Sequence, residues 1–76
     1  MPAKKSAANQ ALGQAMRAAR RERGLPQEAF AARASIDRSY YGAIERGEFN
    51  VRFDTIVKVA AGLGMTVAAL CEKAKV

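Results

Sequence analysis

The chain has 76 residues, with 13 Lys and Arg against 7 Asp and Glu, a formal net charge of +6 and a pI near 10.1. So short a chain buries only about 60% of its unfolded surface, which excludes an enclosed catalytic cleft built beside a separate core. With no histidine and a single cysteine, Cys71, it also excludes a zinc cluster, a histidine-based triad and an internal disulfide.

Half of the residues are hydrophobic, but alanine supplies much of that share and only three Phe and two Tyr are present. This mixture suits short helices packed closely, whereas strands call for more β-branched and aromatic residues. The excess of positive charge points to a polyanionic partner and leaves a membrane surface or an acidic protein open. The opening MPAKKSAANQ is basic, small and polar, without the apolar core of a secretion signal, and no run of about 20 apolar residues occurs. Residues 1–8 read as a flexible basic arm, either plain terminal disorder or a segment that touches phosphates. Residues 9–76 read as one domain. A reducing cytosol is the expected compartment, and no metal or cofactor is expected.

In chain order, Leu12, Met16, Ala19 and Arg23 recur at helical spacing from Ala8 to Arg23, and Gly24 stops the run. Leu25 and Pro26 lead into a second helix, Gln27 to Ala34, with Phe30, Ala31 and Ala34 inward. Asp37 is a good N-cap for a third helix reaching about Arg46, and Ile36 with Tyr41 forms a hydrophobic staple. Gly47 ends it. After the loop Glu48–Arg52, Phe53, Ile56, Ala60 and Leu63 share a stripe that Gly64 closes. Thr66 then caps a last helix with Val67, Leu70, Cys71 and Ala74 on one face. No segment alternates with period two. The expected fold is all-α, a compact bundle of five short helices.

Only Ser35 and Ile36 separate the second helix from the Asp37 cap. So short a turn forces a wide crossing angle with a small residue, Ala31, where the backbones meet, which describes a helix-turn-helix. The stretches RRERGLPQEAFA, RSYYGAIERGE and FDTIVKVAAGLGMTVAAL resemble the Cro and phage-repressor (XRE-type) family from Leu12 to Leu70. Within it, IDRSYYGAIERG is most similar to the controller proteins of restriction–modification systems. The resemblance implies that the third helix enters the major groove of double-stranded DNA with its first residues towards the base edges.

Helical phase places Ser39, Gly42, Ala43 and Arg46 on the arc opposite Tyr41 and Ile44, with Arg38 and Tyr40 beside its start. Gly42 costs about 1 kcal/mol of helix stability relative to Ala, which close approach to DNA offsets; packing on the second helix is the other reading. Arg38 is the best candidate for base readout, through paired hydrogen bonds to guanine worth roughly 1–3 kcal/mol of discrimination. Its alternative is an ordinary surface arginine or a partner for Asp37. Ser39 specifies little. Tyr40 donates to a phosphate, stacks on a sugar or a thymine methyl, or is partly buried against the first helix. Ala43 completes the base-contact set. Tyr41 is core.

The resemblance also implies phosphate contacts from Gln27, Arg46, Asn50 and Arg52, and a buried structural ion pair between Arg20 and Glu45, whose rupture costs ~3–5 kcal/mol. Three positions depart from the family pattern. Pro26 and Arg52 replace Ser or Thr helix caps, each worth about 1 kcal/mol, with Asn50 a substitute cap for the fourth helix. Ser35 stands where glycine is usual in the turn. A homodimer contact is expected at Leu63, Met65, Val67, Leu70 and Cys71; alternatively these residues only close the core. RNA polymerase is a further expected partner, whereas a small-molecule effector is not. A protein-interaction module on the same scaffold is the rival reading, against which the cations from Arg46 to Arg52 beside Arg38 argue. An enzyme is the weakest reading, because no nucleophile–base or acid–base pair is present.

Overall fold

The computed structural model describes residues 6–76. Among them are five helices and no strand: α1 (Ala7–Glu22), α2 (Gln27–Arg33), α3 (Arg38–Glu45), α4 (Phe53–Leu63) and α5 (Val67–Ala74). The basic arm expected over residues 1–8 lies outside the described residues as far as residue 5. From Ser6 onward the chain is already committed to α1, because the Ser6 hydroxyl accepts the Asn9 N–H at 3.0 Å.

The long α1 forms the base on which α3, α4 and α5 pack, and α2 lies on α3. Leu12, Met16, Phe30, Tyr41, Ile44, Val59, Leu63 and Leu70 fill the space between them. The Phe30 and Tyr41 rings meet at 5.1 Å in a tilted arrangement that favours aromatic pairs. Where α1 crosses α3, no side chain intervenes. A Cβ on Gly13 would lie 2.5 Å from the Ile44 carbonyl oxygen and 2.6 Å from that of Glu45, so the two backbones are in direct contact. This position carried no sequence signal, since one glycine in an alanine-rich helix reads as a mild propensity loss.

Two turn residues adopt the left-handed conformation for different reasons. Gly47, at φ +75°, ends α3 against Gln10, whose Cα would be 2.9 Å from an added Cβ. Ser35, at φ +59°, closes the α2–α3 turn although it carries a side chain. The usual glycine is therefore replaced without any change of backbone region, and Ser35 bears the steric cost.

Two expected inward positions are corrected. Phe53 is 69% exposed. Apolar residues occupy most of the circumference of α4, so the sequence did not fix which arc faces inward. Packing selected Thr55, Val59, Ala60 and Leu63, leaving Phe53 and Val57 outside. Arg23 is likewise exposed: its guanidinium donates to the Ala19 carbonyl at 2.8 Å and to the Leu63 carbonyl at 2.6 Å, tying the end of α1 to the end of α4. No single helix among the described residues is long and apolar enough to cross a membrane.

Candidate nucleic-acid interface

Asp37 sets the start of α3, its carboxylate accepting the Tyr40 N–H at 3.1 Å. The helix then divides into two halves. Residues 41–45 are all buried in the angle between α1 and α2, whereas Arg38 and Ser39 are exposed and Tyr40 is half-buried. With its carboxylate engaged as a cap, Asp37 does not pair with Arg38. Arg38 has no hydrogen-bond or ion-pair partner among the described residues.

Gln27, Arg38, Ser39, Gly42 and Arg46 line one shallow open cleft. Gly42 is its floor, because the side chains of Gln27 and Arg46 fold over it; each would stand 3.3 Å from an added Cβ. Gly42 thus lies on the cleft side with Ser39 and Arg46, as helical phase places it, but is covered by the side chains of Gln27 from α2 and of Arg46. The base-contact assignment of Ala43 is corrected: it is 5% exposed. The loop after α3 folds back there, and the Ala43 carbonyl accepts the Glu48 N–H at 3.0 Å. Helical phase alone treats α3 as a cylinder with one buried side. In fact two helices and a loop enclose its second half, so the outward surface shrinks to its first turn.

Behind the cleft lies the buried pair. Arg20 Nε donates to Glu45 Oε2 at 2.7 Å and Nη2 to Oε1 at 3.1 Å, while Nη1 reaches the Leu25 carbonyl at 2.9 Å. The Gln27 amide donates to Glu45 Oε1 at 3.0 Å, so this residue braces the ion pair. Burial alone would raise the Glu45 carboxyl, but the hydrogen bonds from Arg20 and Gln27 outweigh it and hold the group below its ordinary value. The bond to Glu45 likewise pushes Arg20 up. The Tyr41 hydroxyl lies near enough to act electrostatically on the same carboxylate, yet it reaches no partner with hydrogen-bond geometry. Burial drives its phenol far above the usual range.

The cations assigned to phosphates are held differently from Arg38. Arg46 is bound by Glu48 through contacts of 2.6 and 3.3 Å, and Arg52 lies 3.3 Å from Asp54, both pairs being open to water. Exposed pairs of this kind are weak and exchange readily for a phosphate oxygen. Asn50 does not cap α4. Its side-chain oxygen accepts from Asn9 Nδ2 at 2.7 Å, which pins the loop to the first turn of α1, and α4 begins without a side-chain cap. Pro26 gives α2 none either. Phe49, passed over in the sequence, is 38% exposed beside Tyr40, with ring centroids 5.9 Å apart.

Of the five residues expected at a dimer contact, Leu63 and Leu70 are buried in the core and are corrected to that role. Met65, Val67 and Cys71 are half-buried, and Phe53 and Val57 of α4 are exposed apolar side chains.

Two short helices joined by a tight turn, with the second presenting an open first turn, define a helix-turn-helix unit. Residues 16–70 match the family model described as Helix-turn-helix, HTH_3, and the chain belongs to that family. It is 48% identical over 46 residues to control protein C.MunI of a Mycoplasma species, covering 60% of this chain and 62% of the relative. The chain thus matches less than two thirds of that curated relative's length. Among solved structures, it is similar to the restriction-modification controller protein C.AhdI from Aeromonas hydrophila, at 38% identity and TM-score 0.82, covering 86% of this chain and 98% of that one. It is also similar to the clp gene regulator ClgR from Corynebacterium glutamicum, at 26% identity and TM-score 0.87, covering 95% and 77% respectively.

Proposed function

We propose that this chain is a sequence-specific DNA-binding transcriptional regulator of the controller type, acting as a homodimer on a pseudo-palindromic operator in the cytoplasm. The observation that carries the reading is the first turn of α3: Arg38 and Ser39 are exposed, and Arg38 is unpartnered, on a helix whose second half is locked into the core. A rigid base with a free guanidinium at its tip matches the geometry of base readout in the major groove. Arg46 in the same cleft and Arg52 at the start of α4 supply exchangeable cations for the phosphates, and the net charge of +6 draws the whole domain to a polyanion.

One unit of this size covers a single groove face, so two copies would read half-sites ~34 Å apart. The residues offered to the second copy are Met65, Val67 and Cys71, which are half-buried. Bound to its operator, the dimer would help or block RNA polymerase according to operator position. The similarity to C.MunI and C.AhdI, named as control and controller proteins, supports the controller assignment.

Selection of bound fragments from a random duplex pool tests the reading directly. Two similar half-sites at one spacing are expected; retention of no duplex at low ionic strength would reject it. In the same assay, Arg38→Ala should weaken specific binding by about 1–3 kcal/mol and relax base choice. Arg52→Ala should weaken all sequences alike and flatten the salt dependence. Sedimentation at micromolar concentration checks the dimer, and a purely monomeric result would remove it.

A further inference from the structure

Phe49 is a large apolar side chain standing in a polar loop between Glu48 and Asn50, with 38% of its surface open. It is not there for lack of anchoring. Gly47 fits against the Gln10 backbone, the Glu48 N–H bonds to the Ala43 carbonyl, and Asn50 bonds to Asn9. The ring packs at a tilt of 56° on Tyr40, which itself rests against the core. Tyr40 belongs to the first turn of α3, so the aromatic pair joins the turn that carries Arg38 and Ser39 to the loop after α3 and forms an apolar lip there.

A protein surface meant only for phosphates has no use for such a lip. The C5-methyl of thymine is the apolar group that a base pair displays at the major-groove edge, and aromatic and small apolar side chains are its usual contacts. We infer that Phe49, backed by Tyr40, is a specificity-determining residue that reads a thymine methyl in the major groove next to the base contacted from α3. The inference rests on the proposed DNA-binding function and adds a base preference to it. Tyr40 packs on the ring, and the 38% of Phe49 that stays open is what the methyl would meet. The anchored loop and the Tyr40 contact hold the ring in place before DNA arrives, so little side-chain freedom is lost on binding.

The test uses the operator recovered from the random pool, remade as a set of duplexes in which each thymine in turn becomes deoxyuridine. This substitution deletes one methyl and leaves base pairing intact. At one position per half-site, the wild-type chain should lose about three- to tenfold in affinity. Phe49→Ala should bind the unmodified operator more weakly and show no further loss at that position, while Phe49→Leu, still apolar, should retain part of the discrimination. Thermal melting followed by circular dichroism establishes that both variants are folded. The inference is overturned, with DNA binding itself intact, if every deoxyuridine duplex binds the wild-type chain within twofold of the parent, or if the penalty persists undiminished in Phe49→Ala. A loss of DNA bending in Phe49→Ala with no deoxyuridine effect would instead make the ring a wedge between base steps and equally overturn methyl readout. If the wild-type chain retains no duplex at all, both the inference and the function beneath it fail.

Discussion

The two halves of α3 use the same kinds of residue for opposite purposes. In the buried half, Glu45 is tied to Arg20 and Gln27, and the backbone touches α1 at Gly13 with nothing between. In the exposed half, Arg38 carries the same charge as Arg20 but has no partner among the described residues. Arg20 has left water and depends on its carboxylate; Arg38 remains hydrated and available. Whether a charged side chain belongs to the fold or to a ligand is thus decided by burial, and α3 holds both kinds, Arg38 at its start and Glu45 at its end, about two turns apart. The rigidity of one half gives the other its fixed orientation.

Breaking the buried half should produce the largest effects. Arg20→Ala strands the Glu45 carboxylate and should cost ~3–5 kcal/mol in chemical denaturation. The pH dependence sharpens the same point. Because Glu45 is held below its ordinary value of 4.5 in the folded chain, its contribution is fully present above that pH. It is lost as pH falls through the lower folded-state value. Stability should decline below about pH 4.5, and Glu45→Gln should be less stable at neutral pH but show a shallower acid decline; unchanged slopes would remove Glu45 from the acid response.

Gly13→Ala comes next. Its methyl would meet two backbone carbonyls rather than a flexible side chain, so α1 and α3 must separate. The expected cost is about 3 kcal/mol, the upper part of the usual range for overpacking, read as a lowered melting temperature. A variant as stable as the parent would show that the helices do not cross so closely. Ser35→Gly should act in the other direction and gain about 1 kcal/mol, because glycine adopts the left-handed turn without the Cβ penalty. Operator affinity should be unchanged if the turn merely holds the two helices. The smallest effect is expected from Tyr41→Phe. It removes a buried hydroxyl that lacks a hydrogen-bond partner, so stability should stay within about 1 kcal/mol or rise. A large loss would reveal that the hydroxyl supports the Glu45 carboxylate after all.

Much of this molecule was legible in its sequence. The five helices, the Asp37 cap and the inward Phe30 and Tyr41 follow from local rules acting over one or two turns. The resemblance to the Cro and phage-repressor family supplied the Arg20–Glu45 pairing, which joins residues 25 apart and leaves no local trace. The revised readings have two causes, both blind to non-local packing. Helical phase puts Ala43 outward and Phe53 inward, and the number of apolar groups puts Leu63 and Leu70 at a surface; the structure reverses all four. Phase treats a helix as having one buried side of known direction, and a count of apolar groups does not say which of them the core takes.

The sequence by itself determined where helices start and stop, how far apart the two helices of the central unit are, and that the whole is basic, because capping, turn length and charge are local or additive quantities. Only the tertiary structure decided which arc of each helix is covered, that Gly13 brings two backbones together, that Gln27 braces the ion pair, and that Phe49 stands beside Tyr40. These depend on non-local packing, where the direction of burial is set jointly by every helix that arrives at the core.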